Sequence, residues 1–327
     1  MSPGARKKAL SVVVSLAILA LIYRRVDMGA MAAVFRASHP GWLAVSLAMV
    51  VPLTLLTAHR LQLLAPAEAR LSLGEALSLT LAASVLNMVL PSKMGDVAKS
   101  WFIAERGHVS GALALALVVF EKGWDMLSLL AWCAFGLLFL STTDPLFWVL
   151  AAAIAGGTAV MLLALGSARF AAFAFRTLGA VMPEKGRAKV AALRDGWAEM
   201  QRRARRAPGR AAYVALVSLL LWFLHLLQIW LFIVALRARV PLAAALGLAP
   251  LAILAGLLPL TFAGVGTRDA ALIVLFRGYF GPATGAALGL LATMRYVMPA
   301  VAGLPVFHRY LAAGRQAADR PMPTAGR

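Results

Sequence analysis

Glu121, Lys122 and Asp125 stand about ten residues inside an apolar run that begins near Gly111. An ionisable group at that depth costs at least about 2.5–3.5 kcal/mol on insertion scales, so each must face protein and be paired or functional. Glu121 and Asp125, four residues apart, share a helix face, and Lys122 can pair with Asp125 three residues on. Further polar residues accompany two Pro/Gly breaks in other apolar segments. Asn87, Lys93, Asp96 and Lys99 surround Leu90-Pro91, and Arg268 and Asp269 follow Gly264-Val265-Gly266. Arg295 lies in the last apolar segment. Together Lys93, Lys99, Lys122, Arg268 and Arg295 can neutralise a phosphate, while Asp96, Glu121, Asp125 and Asp269 balance them or recognise an ammonium group. That mixture suits a zwitterionic or anionic lipid head group better than a free sugar or an apolar drug. The two carboxylates at membrane depth, Glu121 and Asp125, can also carry protons. His225 and Gln228, three apart in another apolar run, fit helix–helix hydrogen bonding better than a cavity edge.

These residues must be positioned by membrane helices. The chain has 327 residues, 62% apolar and 14% charged, against roughly a quarter charged in soluble domains. Apolar residues come in long runs, which excludes an ordinary cytosolic enzyme, a disordered chain and a disulfide scaffold. The single cysteine, Cys133, lies within such a run and reads as helix packing. A net charge of +19 suggests nucleic acid in a soluble protein, but here the basic residues gather between apolar runs, where they set membrane orientation. Nucleic-acid binding is therefore not expected.

The fold class expected is all-α: a polytopic membrane protein with about six full spans and two broken re-entrant elements. Ala9 to Ile22, Trp42 to Ala58, Gly111 to Leu140, Leu146 to Leu165, Ala211 to Leu236 and Leu288 to Phe307 read as spans. Between Ser167 and Arg210 stand eleven Lys or Arg against three acids, which marks the cytoplasmic side. By the same rule both termini are cytoplasmic. In that stretch Val190, Leu193, Trp197 and Met200 recur at helical spacing, as expected of a helix lying on an anionic inner leaflet or of a plain cytoplasmic helix.

The two broken regions are Ala76 to Pro91 and Leu242 to Tyr279. Each starts and ends on one side, the first inside and the second outside, so each is re-entrant or a paired hairpin. One integral domain with two inverted halves follows, about 41–166 and 211–307, joined by the basic stretch 167–210 and followed by the tail 308–327. Transporters with this repeat place substrate where the two breaks meet. Gly264-Val265-Gly266 lacks the third glycine of a dinucleotide loop, and no P-loop or paired metal-ligand spacing occurs. No cofactor, metal or catalytic residue is expected.

At these same residues the chain resembles the lysylphosphatidylglycerol synthase transmembrane-region family, also called flippase-like. The family's Asn, Leu-Pro and Gly-Glu with a following Arg read here as Asn87, Leu90-Pro91, Gly95-Asp96 and Lys99. Its Glu-Arg-x-x-Asp is similar to Glu121-Lys122-Gly123-Trp124-Asp125, and its late Gly-x-Gly-x-Arg-Glu to Gly264-Val265-Gly266-Thr267-Arg268-Asp269. His59-Arg60-Leu61 is similar to the place of a family Arg. Asp replaces Glu twice and Lys replaces Arg twice, which keeps charge but removes the bidentate phosphate contact of Arg. The resemblance implies a bacterial inner-membrane protein that moves a phospholipid or polyprenyl-linked head group between leaflets. Its expected partners are membrane lipids, an anionic or aminoacylated phospholipid among them, and a lipid-modifying enzyme. Lacking the soluble synthase domain, the chain is not expected to be a lysyl transferase. A membrane-embedded transferase with the acidic pair as base, and a non-catalytic partner of such an enzyme, are the alternatives.

Overall fold

The computed structural model describes residues 28–89, 94–106, 108–257 and 266–318. Among them every regular element is helical. In chain order these are α1 (Met28–Ala37), α2 (Pro40–Ala48), α3 (Val50–Leu64), α4 (Leu73–Val89), α5 (Met94–Glu105), α6 (Gly111–Gly136) and α7 (Pro145–Gly166). The second part holds α8 (Ala168–Ala180), α9 (Glu184–Arg206), α10 (Pro208–Ala235), α11 (Leu242–Gly256), α12 (Thr267–Leu275) and α13 (Pro282–Ala318). The expected first span, Ala9 to Ile22, lies outside the described residues, as do Pro91, Lys93, Pro259 and Gly264.

Among the described residues four helical stretches are long and apolar enough to cross a membrane: Pro40–Leu64 (α2 with α3), Pro145–Gly166, Pro208–Ala235 and Pro282–Phe307. The 26-residue α6 is also long enough, but it carries Glu121, Lys122 and Asp125. The chain is thus a multi-pass helical membrane protein. Only 6% of the apolar window of α7 is covered by protein against 50% of that of α10, so α7 lies at the periphery and α10 in the middle.

Local sequence explains where the helices start. Ser72 and Glu75 exchange hydrogen bonds at the start of α4, a capping box (Ser72 N to Glu75 Oε2, 2.9 Å). Ser110 accepts from the Leu113 N–H to cap α6, and Asp144, followed by Pro145, caps α7. Gly266, at φ 102°, lets the backbone turn into α12, and its N–H donates to the Asp269 carboxylate at 3.1 Å.

Each broken region forms two helices packed on each other: α4 with α5, and α11 with α12. The two helix pairs pack on opposite halves of α6. Leu79 of α4 and Ile103 of α5 share one apolar cluster with Phe120 on the N-terminal half of α6. Leu248 of α11 and Leu272 of α12 share the other cluster with Leu129 on its C-terminal half. Between these clusters lie Glu121, Lys122 and Asp125. Because lipid tails are as apolar as leucine, helix association here depends on close backbone approach rather than on transfer from water. Gly303 of α13 shows it, since a Cβ there would lie 2.4 Å from the Leu81 carbonyl oxygen of α4.

The apolar face of α9 is covered by protein and not by a leaflet. Trp197 and Met200 are buried, and Trp197 meets Phe120 edge-on at 5.0 Å. Its indole N–H donates to the Ala164 carbonyl of α7 at 3.0 Å, and Gln201 donates to the same oxygen at 2.8 Å. The segment is thus helical, as both readings expect, and its apolar face packs on α6 and α7. Sequence spacing reveals an apolar face but not what covers it. Gln228 of α10 spends its amide on the Ser46 carbonyl at 2.9 Å, joining α10 to α2.

Candidate functional site

Six charged side chains from three helices close into a ring. Arg60 at the end of α3 donates to Glu121 at 3.2 Å and to Asp125 at 2.5 Å. Lys99 of α5 meets Glu121 at 3.0 Å and Asp96 at 3.5 Å. Lys122 meets Asp96 at 2.9 Å and Asp125 at 3.4 Å, which completes the circuit. Three cations alternate with three anions, and every carboxylate lies between two cations. Arg60, Lys99 and Glu121 are buried, while Lys122 is 43% exposed and forms the open side. Ser218 of α10 accepts from Arg60 at 3.4 Å. Buried charges of this kind are tolerated only when paired and hydrogen-bonded, and here the pairing also ties α5 to α3 and α6.

A second charged group sits at the other hairpin. Arg268 reaches one oxygen of Asp269 through Nε (2.9 Å) and Nη2 (2.7 Å). It also donates to the Gly289 carbonyl at 3.1 Å and to Thr293 at 2.9 Å, both on α13. Asp269 in turn holds the first turn of α12 through the Gly266 N–H. The pair is neutral and buried.

Arg295 differs from all of these. It is 7% exposed and donates a 2.8 Å hydrogen bond to the Tyr296 hydroxyl, with the guanidinium carbon 4.9 Å from that ring. Its Nε and Nη1 are buried without a hydrogen-bond partner among the described residues. On α13 it lies between Gly289, whose neighbour is Asp269 of α12, and Gly303, whose neighbour is Leu81 of α4. Arg295 therefore stands between the contacts that α13 makes with the two helix pairs.

The structure thus brings Asp96, Lys99, Glu121, Lys122 and Asp125 into one ring and Arg268 with Asp269 into a second group. Among the described residues no ion pair joins the two. Asn87 lies near the end of α4, its Oδ1 buried and without a partner among the described residues, and Lys93 lies outside them. Arg60 belongs to the ring, although its sequence position at the end of a span marks it first as an orientation residue. The similarity of His59-Arg60-Leu61 to the place of a family Arg was the signal that could have found it.

In chemical terms the charges of the ring and of the Arg268–Asp269 pair are matched, with only Arg60 Nε lacking a partner there among the described residues, whereas Arg295 forms no ion pair among them and has donor capacity left for an anion. Among the described residues no cluster of His, Cys, Asp or Glu has the form of a metal site. A family model described as lysylphosphatidylglycerol synthase TM region matches residues 8–303. No curated protein matches the sequence.

Proposed function

The chain belongs to the lysylphosphatidylglycerol synthase TM region family, whose members have a membrane-lipid-related role, and from that premise we propose that it is a flippase-type lipid transporter. It takes the phosphate of a phospholipid or lipid-linked head group at Arg295, between the two hairpins, and passes the head group across a bacterial inner membrane. The observation that carries this reading is the buried Arg295 guanidinium, two of whose nitrogens have no partner among the described residues. A buried charge without a counter-ion is costly, and an anionic ligand offsets that cost. Two helix pairs packed on opposite halves of α6 fit the inverted repeat that alternating access uses. The same geometry argues against a transferase: each carboxylate of the ring is held by two cations and is a poor base. The chain then acts on unmodified lipid and needs no cofactor. Its basic α8–α9 region faces the cytoplasm by the positive-inside rule.

The test is lipid translocation in proteoliposomes with head-group-labelled phosphatidylglycerol and its aminoacylated form. Arg295→Gln should slow exchange by about tenfold or more, and Arg295→Lys, which keeps charge but not the planar fork, should lie between. Wild-type exchange in a folded Arg295→Gln protein refutes the assignment.

A further inference from the structure

A second site lies on the cytoplasmic side, apart from the space between the hairpins. Where α3 ends, the C-terminal part of α9 and the start of α10 leave a cleft of about 370 Å³, within the size range of small-molecule sites. Its wall is apolar, with Leu63, Phe120, Trp124 and Val214 among the lining residues. The Trp124 indole N–H is buried and has no acceptor among the described residues.

The rim is basic. Glu68 and Glu199 line it too, but both are already matched by Arg203, which reaches Glu68 at 3.0 Å and Glu199 at 2.7 Å. Arg202 holds Glu199 as well, at 2.7 Å. That leaves Arg206 and Arg210 on the rim, neither of which forms an ion pair among the described residues. Arg210 is fixed in place by its hydrogen bond to the Leu63 carbonyl at 2.8 Å, at the C-terminal end of α3. An apolar wall, one buried donor and two unmatched guanidinium groups at the cytoplasmic ends of two spans are complementary to a single class of occupant.

We propose that this cleft holds an anionic phospholipid of the cytoplasmic leaflet as a resident lipid, its phosphate on Arg206 and Arg210 and an acyl chain along Leu63 and Phe120. The Trp124 N–H donates to an ester oxygen of that lipid. Phe120 and Trp124 each neighbour a ring residue in sequence, Glu121 and Asp125, so the resident lipid braces the helix that carries the ring.

The experiment is native mass spectrometry of the full chain released from mixed micelles of phosphatidylglycerol and phosphatidylcholine. Wild type should retain phosphatidylglycerol preferentially. The double variant Arg206→Gln/Arg210→Gln should lose one retained phosphatidylglycerol, and Trp124→Phe should weaken that lipid by about threefold to tenfold. Arg205→Gln, an exposed arginine of α9 that does not line the cleft, should change nothing. Arg295→Gln reports on the site between the hairpins, so a lipid lost there and kept in the double variant belongs to that other site. The proposal is overturned if the double variant retains lipid as wild type does, if Arg205→Gln has the same effect, if phosphatidylcholine is held equally, or if inorganic phosphate displaces the lipid.

Discussion

Removing one charge from the ring should cost far more at its buried side than at its open side. Glu121→Gln keeps the shape of the side chain and leaves three cations facing two anions. Lys99 then retains only Asp96 at 3.5 Å, and Arg60 retains only Asp125. Breaking a buried pair by removing one partner costs about 3–5 kcal/mol, because the remaining charge stays desolvated. Lys122→Gln removes a cation at the open side of the ring, 43% exposed, and Asp96 and Asp125 each keep a second cation, which holds that cost to about 0–1 kcal/mol. The double variant Glu121→Gln/Lys99→Met restores balance, with two cations and two anions. It should therefore be more stable than the sum of its single variants, with a coupling of about 0.5–3 kcal/mol.

The assay is thermal unfolding of the detergent-solubilised chain, with all variants at one lipid and salt concentration. Glu121→Gln should lower Tm by roughly 5–15 °C and Lys122→Gln by no more than about 2 °C. Equal shifts for the two variants would mean that burial does not govern the ring. Strict additivity in the double variant would mean that Glu121 and Lys99 do not act as a pair, and either result refutes the reasoning.

Two further predictions follow from packing and from the ion pairs of α9. Gly303→Val places a side chain against the Leu81 carbonyl and should destabilise the chain by about 1–3 kcal/mol, read as a lower Tm, with Gly303→Ala less affected. Hydrogen bonds from Arg203 hold the Glu68 carboxyl below its usual range, and those from Arg202 do the same for Glu199. A depressed carboxylate contributes above its unfolded pKa, about 4.3, and loses that contribution as pH falls through the folded value. The tie between α9 and the turn at Ala67–Ala69 should therefore hold from pH 8 to 5 and loosen below about 4. Hydrogen exchange in α9, corrected for the intrinsic rate, measures it, and loosening already between pH 8 and 6 contradicts the assignment.

Much of the frame is legible in the sequence because membrane insertion is a strong constraint. Long apolar runs force helices, and Pro91 or Gly266 inside such runs forces a break that only protein can cover. The cost of charge at depth likewise singles out Glu121 and Asp125 without any structure. Arg60 could not be read in this way. A basic residue at the end of a span carries the same sequence mark whether it orients the span or turns inward, and only the packing of α5, α6 and α10 around the end of α3 makes it buried. The covered face of α9 is a similar case, since one periodicity serves a leaflet and a neighbouring helix alike. Nor does sequence tell which cations already have partners. Lys99, Lys122, Arg268 and Arg295 look equivalent there, and the structure divides them.

That division decides how a head group can enter. To seat a phosphate on Lys99 or Lys122, the ring must release a carboxylate, at about 3–5 kcal/mol for a buried pair. A micromolar ligand binds with only about 8 kcal/mol, so a first contact at the ring forfeits about half of its free energy. At Arg295 no pair has to break, and the anion removes an existing cost. On the proposed transport reading the phosphate therefore meets Arg295 first. The ring opens only for a head group that brings its own replacement charge, such as an ammonium that takes over a carboxylate from Lys99 or Lys122. A head group carrying both charges can do so, and on the proposed transport reading this ties selectivity to the balanced ring and capture to Arg295.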